Sequence, residues 1–157
     1  MATGPRRPRQ QERECMPNAS EISKEVERFY RAYMDAFNHQ EITRSTEFID
    51  LPYALMSGDE GLIVCATEDE HQRLSARIFA DLKSRGWARS EIGRVRISLL
   101  AENHALILAD ISRRRADGSL LQRNRFCYTA RHDGSSWKMM AYLPVADGFL
   151  GPGNFPR

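Results

Sequence analysis

The first candidate for chemistry is an aspartate, Asp110, which interrupts the apolar segment Leu106-Ile107-Leu108-Ala109-Asp110-Ile111. A carboxylate in such a segment must pair with a cation or lose its charge. If Asp117-Gly118 forms a two-residue turn, Asp110 lies directly opposite Arg125 on the next strand. A turn one residue longer would slip the register and turn Asp110 to the other face. Two interpretations therefore remain open: a cross-strand ion pair, or an acid–base group in a pocket.

Aromatic and thioether side chains are the second candidate set. Tyr33 and Tyr53 could donate hydrogen bonds to a substrate, and with Asp110 they form the predicted catalytic set. Most such side chains belong to the core, whereas those that face a cavity form a ligand surface. The other predicted pocket-lining residues are Tyr30, Phe37, Trp87, Phe126, Tyr128 and Met139.

Arginines are unusually frequent in the segments that read as strands. Two interpretations are open: a solvated outer sheet face charged against edge aggregation, or a clamp for an anion. These arginines are Arg94, Arg96, Arg113, Arg114, Arg115, Arg123, Arg125 and Arg131.

The histidines fall at predicted turns and helix starts, and none adjoins a nucleophile. They are His39, His71, His104 and His132. The sequence contains no HExxH, GxSxG or glycine-rich phosphate-loop motif. We therefore expect no metal site and no cofactor.

Composition and charge limit the class of protein. With 157 residues, 41% hydrophobic and 28% charged, the chain is typical of one globular domain. A net charge of +2 argues against a nucleic-acid partner. No apolar run approaches the roughly 20 residues that cross a bilayer, so we expect no membrane partner. Cys15, Cys65 and Cys127 are widely spaced and form no CxxC pair, which favours a reducing, cytoplasmic location.

Three regions differ in composition. Residues 1–18 are rich in proline and charge and are expected to form a disordered basic tail. Residues 19–146 carry the periodic patterns of a folded domain. Residues 147–157 are rich in glycine and proline and are expected to form a C-terminal tail.

Periodicity and turn residues predict the elements of that domain. Helices are expected from Ser20 to about Asn38, from Glu41 to Phe48, and from a capping box at Thr67 to Gly86. A hairpin joins Leu51–Met56 to Leu62–Ala66. Four further strands follow as an antiparallel meander: Arg89–Leu100, Ala105–Arg115, Leu120–Arg131 and Trp137–Val145. The fold class is α+β, with a strongly bent antiparallel sheet around a helix.

Two segments carry a resemblance to a known family. The run Phe29-Tyr30-Arg31-Ala32-Tyr33-Met34-Asp35-Ala36-Phe37-Asn38 resembles the opening helix of the NTF2-like superfamily, and Asp133-Gly134-Ser135-Ser136-Trp137-Lys138-Met139 resembles its entry into the final strand. The superfamily includes SnoaL-like polyketide cyclases and ketosteroid isomerases, and the resemblance covers about residues 20–146. It implies a cystatin-like cone whose pocket binds a small apolar molecule and whose outer sheet face forms a homodimer.

The catalytic residues of a ketosteroid isomerase carry over only in part. Tyr33 matches the tyrosine of the first helix. The region expected to hold the aspartate base reads Ala54-Leu55-Met56-Ser57, without a carboxylate. The late-strand aspartic acid falls near Cys127 or Tyr128, so the resemblance does not extend to steroid isomerisation.

The predicted function is that of a SnoaL-like pocket protein. It would bind or transform a small, largely apolar molecule by general acid–base chemistry, as an isomerase, cyclase, dehydratase or epoxide hydrolase does. The alternative is a non-catalytic dimerisation or ligand-sensing module of the same fold.

Overall fold

The computed structural model describes residues 18–57 and 60–145. The predicted C-terminal tail and all but the last residue of the predicted N-terminal tail lie outside these ranges. The order of elements agrees with the sequence prediction. They are α1 Ala19–Asn38, α2 Ile42–Thr46, β1 Ile49–Ser57, β2 Gly61–Cys65, α3 Glu68–Ser84, β3 Arg89–Ala101, β4 His104–Arg114, β5 Leu120–His132 and β6 Trp137–Val145.

Helix α1 forms because its apolar side chains recur at three- and four-residue spacing. The buried face carries Ile22, Val26 and Tyr30, with the charged residues outside. Its N-cap is Asn18, whose side-chain oxygen accepts a hydrogen bond from the Ser20 backbone N at 3.1 Å. Asn18 is therefore part of the helix cap, although its sequence context resembled the tail.

Helix α3 begins and ends at the predicted signals. The Thr67 hydroxyl accepts a hydrogen bond from the Glu70 backbone N, and the Glu70 carboxylate accepts one from the Thr67 backbone N. This reciprocal capping box satisfies two free amide donors. The helix gives way to Gly86, whose φ of +87° is a left-handed conformation suited to glycine. None of the described helices is long and apolar enough to cross a membrane.

The six strands form one curved, unclosed sheet in the order β2-β1-β6-β5-β4-β3. Neighbouring strands are antiparallel except for β1 and β6, which pair in parallel. The concave face packs on α1, where Tyr30 of the helix lies 5.1 Å from Tyr128 of β5 between ring centroids. This is the predicted bent sheet around a helix.

The β4–β5 register places Asp110 directly opposite Arg125. This is the arrangement that a cross-strand ion pair between them requires. The turn itself differs from the prediction. The Arg115 backbone N donates to the Ser119 carbonyl at 3.0 Å, which leaves three residues in the turn rather than two. A register shift that passes over Leu121 compensates for the extra residue.

The main core lies between the concave face of the sheet and α1. Strand alternation sends Ile107, Ala109 and Ile111 of β4 inward, and each is at most 3% exposed. Cys65 belongs to this core. Cys127 is also buried, but strand alternation places it on the opposite face of β5 from Phe126 and Tyr128. A smaller cluster of Phe79, Leu82 and Trp87 fills the end of α3.

Candidate functional site

A cavity of about 50 Å³, the inner chamber, lies between α1, α3 and the concave face of the sheet. Its walls are mainly aromatic and aliphatic, with hydroxyl, imidazole and guanidinium groups among them. The lining residues that matter for chemistry are Tyr33, Tyr53, His71, Arg113, Tyr128 and Tyr142. An apolar cavity with a few convergent polar groups is the usual form of a small-molecule site.

All five tyrosines of the chain belong to one cluster around this chamber. The Tyr128 ring lies 5.1 Å from Tyr30, 6.2 Å from Tyr33 and 5.6 Å from Tyr142, and Tyr53 lies 6.5 Å from Tyr142. Burial raises the pKa of each phenol above its usual value. The hydroxyls therefore stay protonated at neutral pH and can donate hydrogen bonds.

His71 enters the chamber from the first turns of α3. It occupies the inward face because His71, Leu74 and Ile78 recur at helical spacing, and only 5% of its surface is exposed. Its ring meets Tyr53 edge-on, with centroids 5.3 Å apart. The Nδ1 atom is buried and has no hydrogen-bond partner among the described residues.

The electrostatic state of His71 follows from its burial, which lowers the pKa of the imidazole below 6.5. The ring is therefore neutral at pH 7 and has a lone pair with which to accept a proton. His71 is one of the histidines at predicted turns and helix starts, and no motif in the sequence marks it as a site residue. The signal was present in the apolar spacing that follows it along α3.

A wider space of about 510 Å³, the outer basin, adjoins the chamber. The two share Leu74, Ile78, Arg113, Phe126 and Tyr142 as lining residues. The basin walls are more polar and include Glu60, Arg77, Asp81 and Arg85. A molecule in the chamber therefore meets a charged rim on its outer side.

Asp110 lies on the opposite face of the sheet from the chamber. It alternates with the buried Ala109 and Ile111, and its carboxylate accepts a hydrogen bond from Arg125 Nε at 2.5 Å. Tyr33 and Tyr53 line the chamber. The structure thus brings the two tyrosines together but leaves the third member of the predicted catalytic set on the outer face.

The Asp110–Arg125 pair should contribute little to stability. Its side chains are 37% and 26% exposed, so solvent screens the attraction. In a double-mutant cycle of Asp110→Asn and Arg125→Gln, we expect a coupling free energy of about 0.3–1 kcal/mol by urea denaturation. A control cycle that combines Asp110→Asn with Arg31→Gln on α1 should show none. Zero coupling in the first cycle would contradict this prediction and mean that the pair contributes nothing measurable to stability.

The other predicted pocket residues divide into two groups. Phe37, Phe126 and Tyr128 line the inner chamber. Tyr30 and Met139 are fully buried in the main core, and Trp87 lies in the smaller cluster. Tyr30, Met139 and Trp87 therefore pack behind the residues that line the chamber.

Three of the strand arginines pair with carboxylates. Arg125 pairs with Asp110, Arg114 with Glu91 at 2.8 Å, and Arg131 with Asp50 at 2.6 Å. Arg113 differs because it lines the chamber and the basin. Within residues 18–57 and 60–145, no group of three or more His, Cys, Asp or Glu side chains could hold a metal ion.

Comparison with known proteins identifies the fold. Residues 23–147 match a family model described as "NTF2-like protein (DUF6841)". No curated protein matches the chain in sequence.

Solved structures share the fold at low sequence identity. A protein of unknown function with a cystatin-like fold from Nostoc punctiforme aligns with a TM-score of 0.64 at 12% identity, covering 85% of this chain and 96% of that one. A ketosteroid isomerase-like protein from Erwinia carotovora atroseptica gives 0.57 at 18%, covering 80% and 98%. An NTF-2 like protein of unknown function from Shewanella oneidensis gives 0.60 at 13%, covering 78% and 98%.

Proposed function

Since the chain belongs to the NTF2-like protein family DUF6841, we propose that it binds a small, largely apolar molecule in the inner chamber and transforms it by general acid–base chemistry. The observation that carries this proposal is the buried neutral imidazole of His71 among protonated tyrosine hydroxyls. A base and hydrogen-bond donors then face one enclosed apolar space. That combination suits reactions that move a proton through an enol or enolate.

The proposed step is proton abstraction next to a carbonyl group. His71 accepts the proton from the carbon, and the C–H electron pair moves into the carbonyl to form an enolate. The enolate oxygen accepts hydrogen bonds from Tyr33 or Tyr53, whose raised pKa values keep them protonated. Return of the proton from His71 to another carbon completes an isomerisation. A dehydration is completed instead when the enolate expels the hydroxyl of the neighbouring carbon, which takes the proton from His71 and leaves as water.

This assignment keeps two of the three residues predicted from sequence and replaces the third. Tyr33 and Tyr53 remain hydrogen-bond donors. His71 takes the role of base that Asp110 was expected to have, because Asp110 is held by Arg125 on the outer face. The similarity to a ketosteroid isomerase-like protein supports the general class of proton transfer, as an analogy of fold.

Deuterium exchange into an enolisable ketone tests the proposal. We expect the protein to accelerate exchange at the α-carbon of 2-tetralone in D₂O, followed by NMR. Leu74→Trp should reduce the rate to that of buffer, because Leu74 lines the chamber and a larger ring fills it. Leu100→Trp, at a position 64% exposed, is the matched control and should keep the wild-type rate. Equal exchange rates in the two variants would mean that the reaction does not take place in the inner chamber.

The second candidate function is a non-catalytic dimerisation or ligand-sensing module. It is favoured by large apolar side chains on the outer face of β1 and β2, where Met56, Leu62 and Val64 are at least 50% exposed. A homodimer through the sheet would cover such a patch. Saturable ketone binding without any exchange would favour this candidate over the enzyme.

A further inference from the structure

We propose that the molecule bound in the inner chamber carries a carboxylate, and that Arg113 holds this group where the chamber meets the outer basin. The inference rests on the proposed function, since it concerns the same cavity. The inference adds the chemical class of the ligand, which is a small apolar molecule that carries one carboxylate.

The position of Arg113 is the first observation. Strand alternation sends it to the same face as Ile111, and it lines both the chamber and the basin. Its guanidinium carbon lies 5.6 Å from the centroid of the Phe126 ring. The charge is thus held on an aromatic surface at the entrance to the apolar space.

The hydrogen bonding of Arg113 is incomplete. Nη1 donates to the Gln122 side-chain oxygen at 3.3 Å, whereas the buried Nε has no partner among the described residues. No described carboxylate lies within ion-pair distance of it. A largely buried guanidinium without an anion is costly, and a ligand carboxylate would supply the missing acceptor.

The positive charge of Arg113 is not balanced by the carboxylates near it. In the outer basin, Glu60 is bound by Arg77 at 3.1 Å and Asp81 by Arg85 at 2.6 Å. Both described carboxylates of the basin are therefore already paired with arginines, so that Arg113 has no partner carboxylate among the described residues. One negative charge on the ligand would balance it.

Asn124 supplies a second donor on the same wall. It lies opposite Ile111 in the β4–β5 register, so its side chain shares the inner face, and it lines the basin. Its Nδ2 atom is buried without a hydrogen-bond partner among the described residues. A carboxylate has two oxygens and can accept from the arginine fork and from the amide together.

The single excess charge favours a carboxylate over a phosphate. A phosphate monoester carries roughly −1.5 to −2 charges at pH 7 and is usually met by several cations or by a helix N-terminus. The wall offers one unmatched guanidinium and one amide. The aromatic chamber behind them and the adjoining outer basin of about 510 Å³ together suit an apolar body of one or two rings.

Two probes of the same shape test the inference by calorimetry: 2-naphthoate, which carries the charge, and 2-naphthamide, which does not. Wild-type protein should bind the naphthoate roughly 10- to 100-fold more tightly, the range expected for a hydrogen-bonded charge pair. Arg113→Gln should abolish this preference by weakening naphthoate binding far more than naphthamide binding. Arg94→Gln removes the same charge from an exposed position and should keep the preference.

A second variant guards against misfolding. Arg113→Lys retains the charge but loses the planar fork, so it should weaken naphthoate binding less than Arg113→Gln does. Equal binding of the two probes by wild-type protein, or a preference that survives Arg113→Gln, would overturn the inference and leave the proposed function standing. Binding of neither probe would overturn both.

Discussion

Replacing Trp137 with alanine should destabilise the protein by about 3–5 kcal/mol, the usual cost of deleting a buried large aromatic ring. Trp137 begins β6 and is 5% exposed within the main core. The His132 ring packs edge-on against it at 5.5 Å. Alanine would leave a cavity at this end of the sheet, which the strands on either side cannot easily fill. The measurement is the free energy of unfolding from urea denaturation.

A matched control separates the effect of burial on stability from the effect of substituting any large apolar residue in a strand. Leu100→Ala removes an apolar side chain that is 64% exposed on β3 and should change stability by no more than about ±0.5 kcal/mol. If Trp137→Ala behaved like this control, the indole would not be packed in the core in solution. The face assignment of β6 would then be wrong.

The elements were predictable because their signals are local. The Thr67–Glu70 capping box, Gly86 after α3, and the apolar spacing of α1 each act within a few residues. The β4–β5 and β5–β6 hairpins follow from Asp-Gly turns in the same way. The parallel pairing of β1 with β6 has no such signal, because it joins strands separated by about half of the chain.

The candidate site was harder to predict because it depends on which way each strand residue points. Asp110 is a charged residue in an apolar segment, which is why the sequence predicts a site there. In the structure its side chain lies on the outer face of the sheet, opposite Arg125. Arg113 lies in a run with Arg114 and Arg115, and strand alternation alone separates the inward arginine from its outward neighbour. His71 could have been found from sequence, since it shares a helical face with Leu74.

The largest expected effect on activity is that of His71→Gln. It should lower the rate of deuterium exchange into 2-tetralone by roughly 10²–10⁴-fold, the usual contribution of a positioned general base. The reason is that His71 is the neutral imidazole of the inner chamber, while the tyrosines around it are protonated donors. His39→Gln, which changes an exposed histidine at the C-terminal end of α1, should keep the wild-type rate. An unchanged rate in His71→Gln would exclude the imidazole as the base.

His71→Gln should also change how the free energy of unfolding depends on pH. A variant that lost activity only because it misfolds would not show this change. Burial lowers the pKa of folded His71 below 6.5, whereas the unfolded chain titrates near 6.5. Below that pH the unfolded state binds more protons, so the free energy of unfolding should fall as pH drops from 6.5. Above pH 7 both states are neutral and the contribution vanishes. In thermal melts, His71→Gln should show a smaller loss of stability between pH 6.5 and pH 5 than the wild-type protein, and equal losses would mean that His71 is not buried in its neutral form.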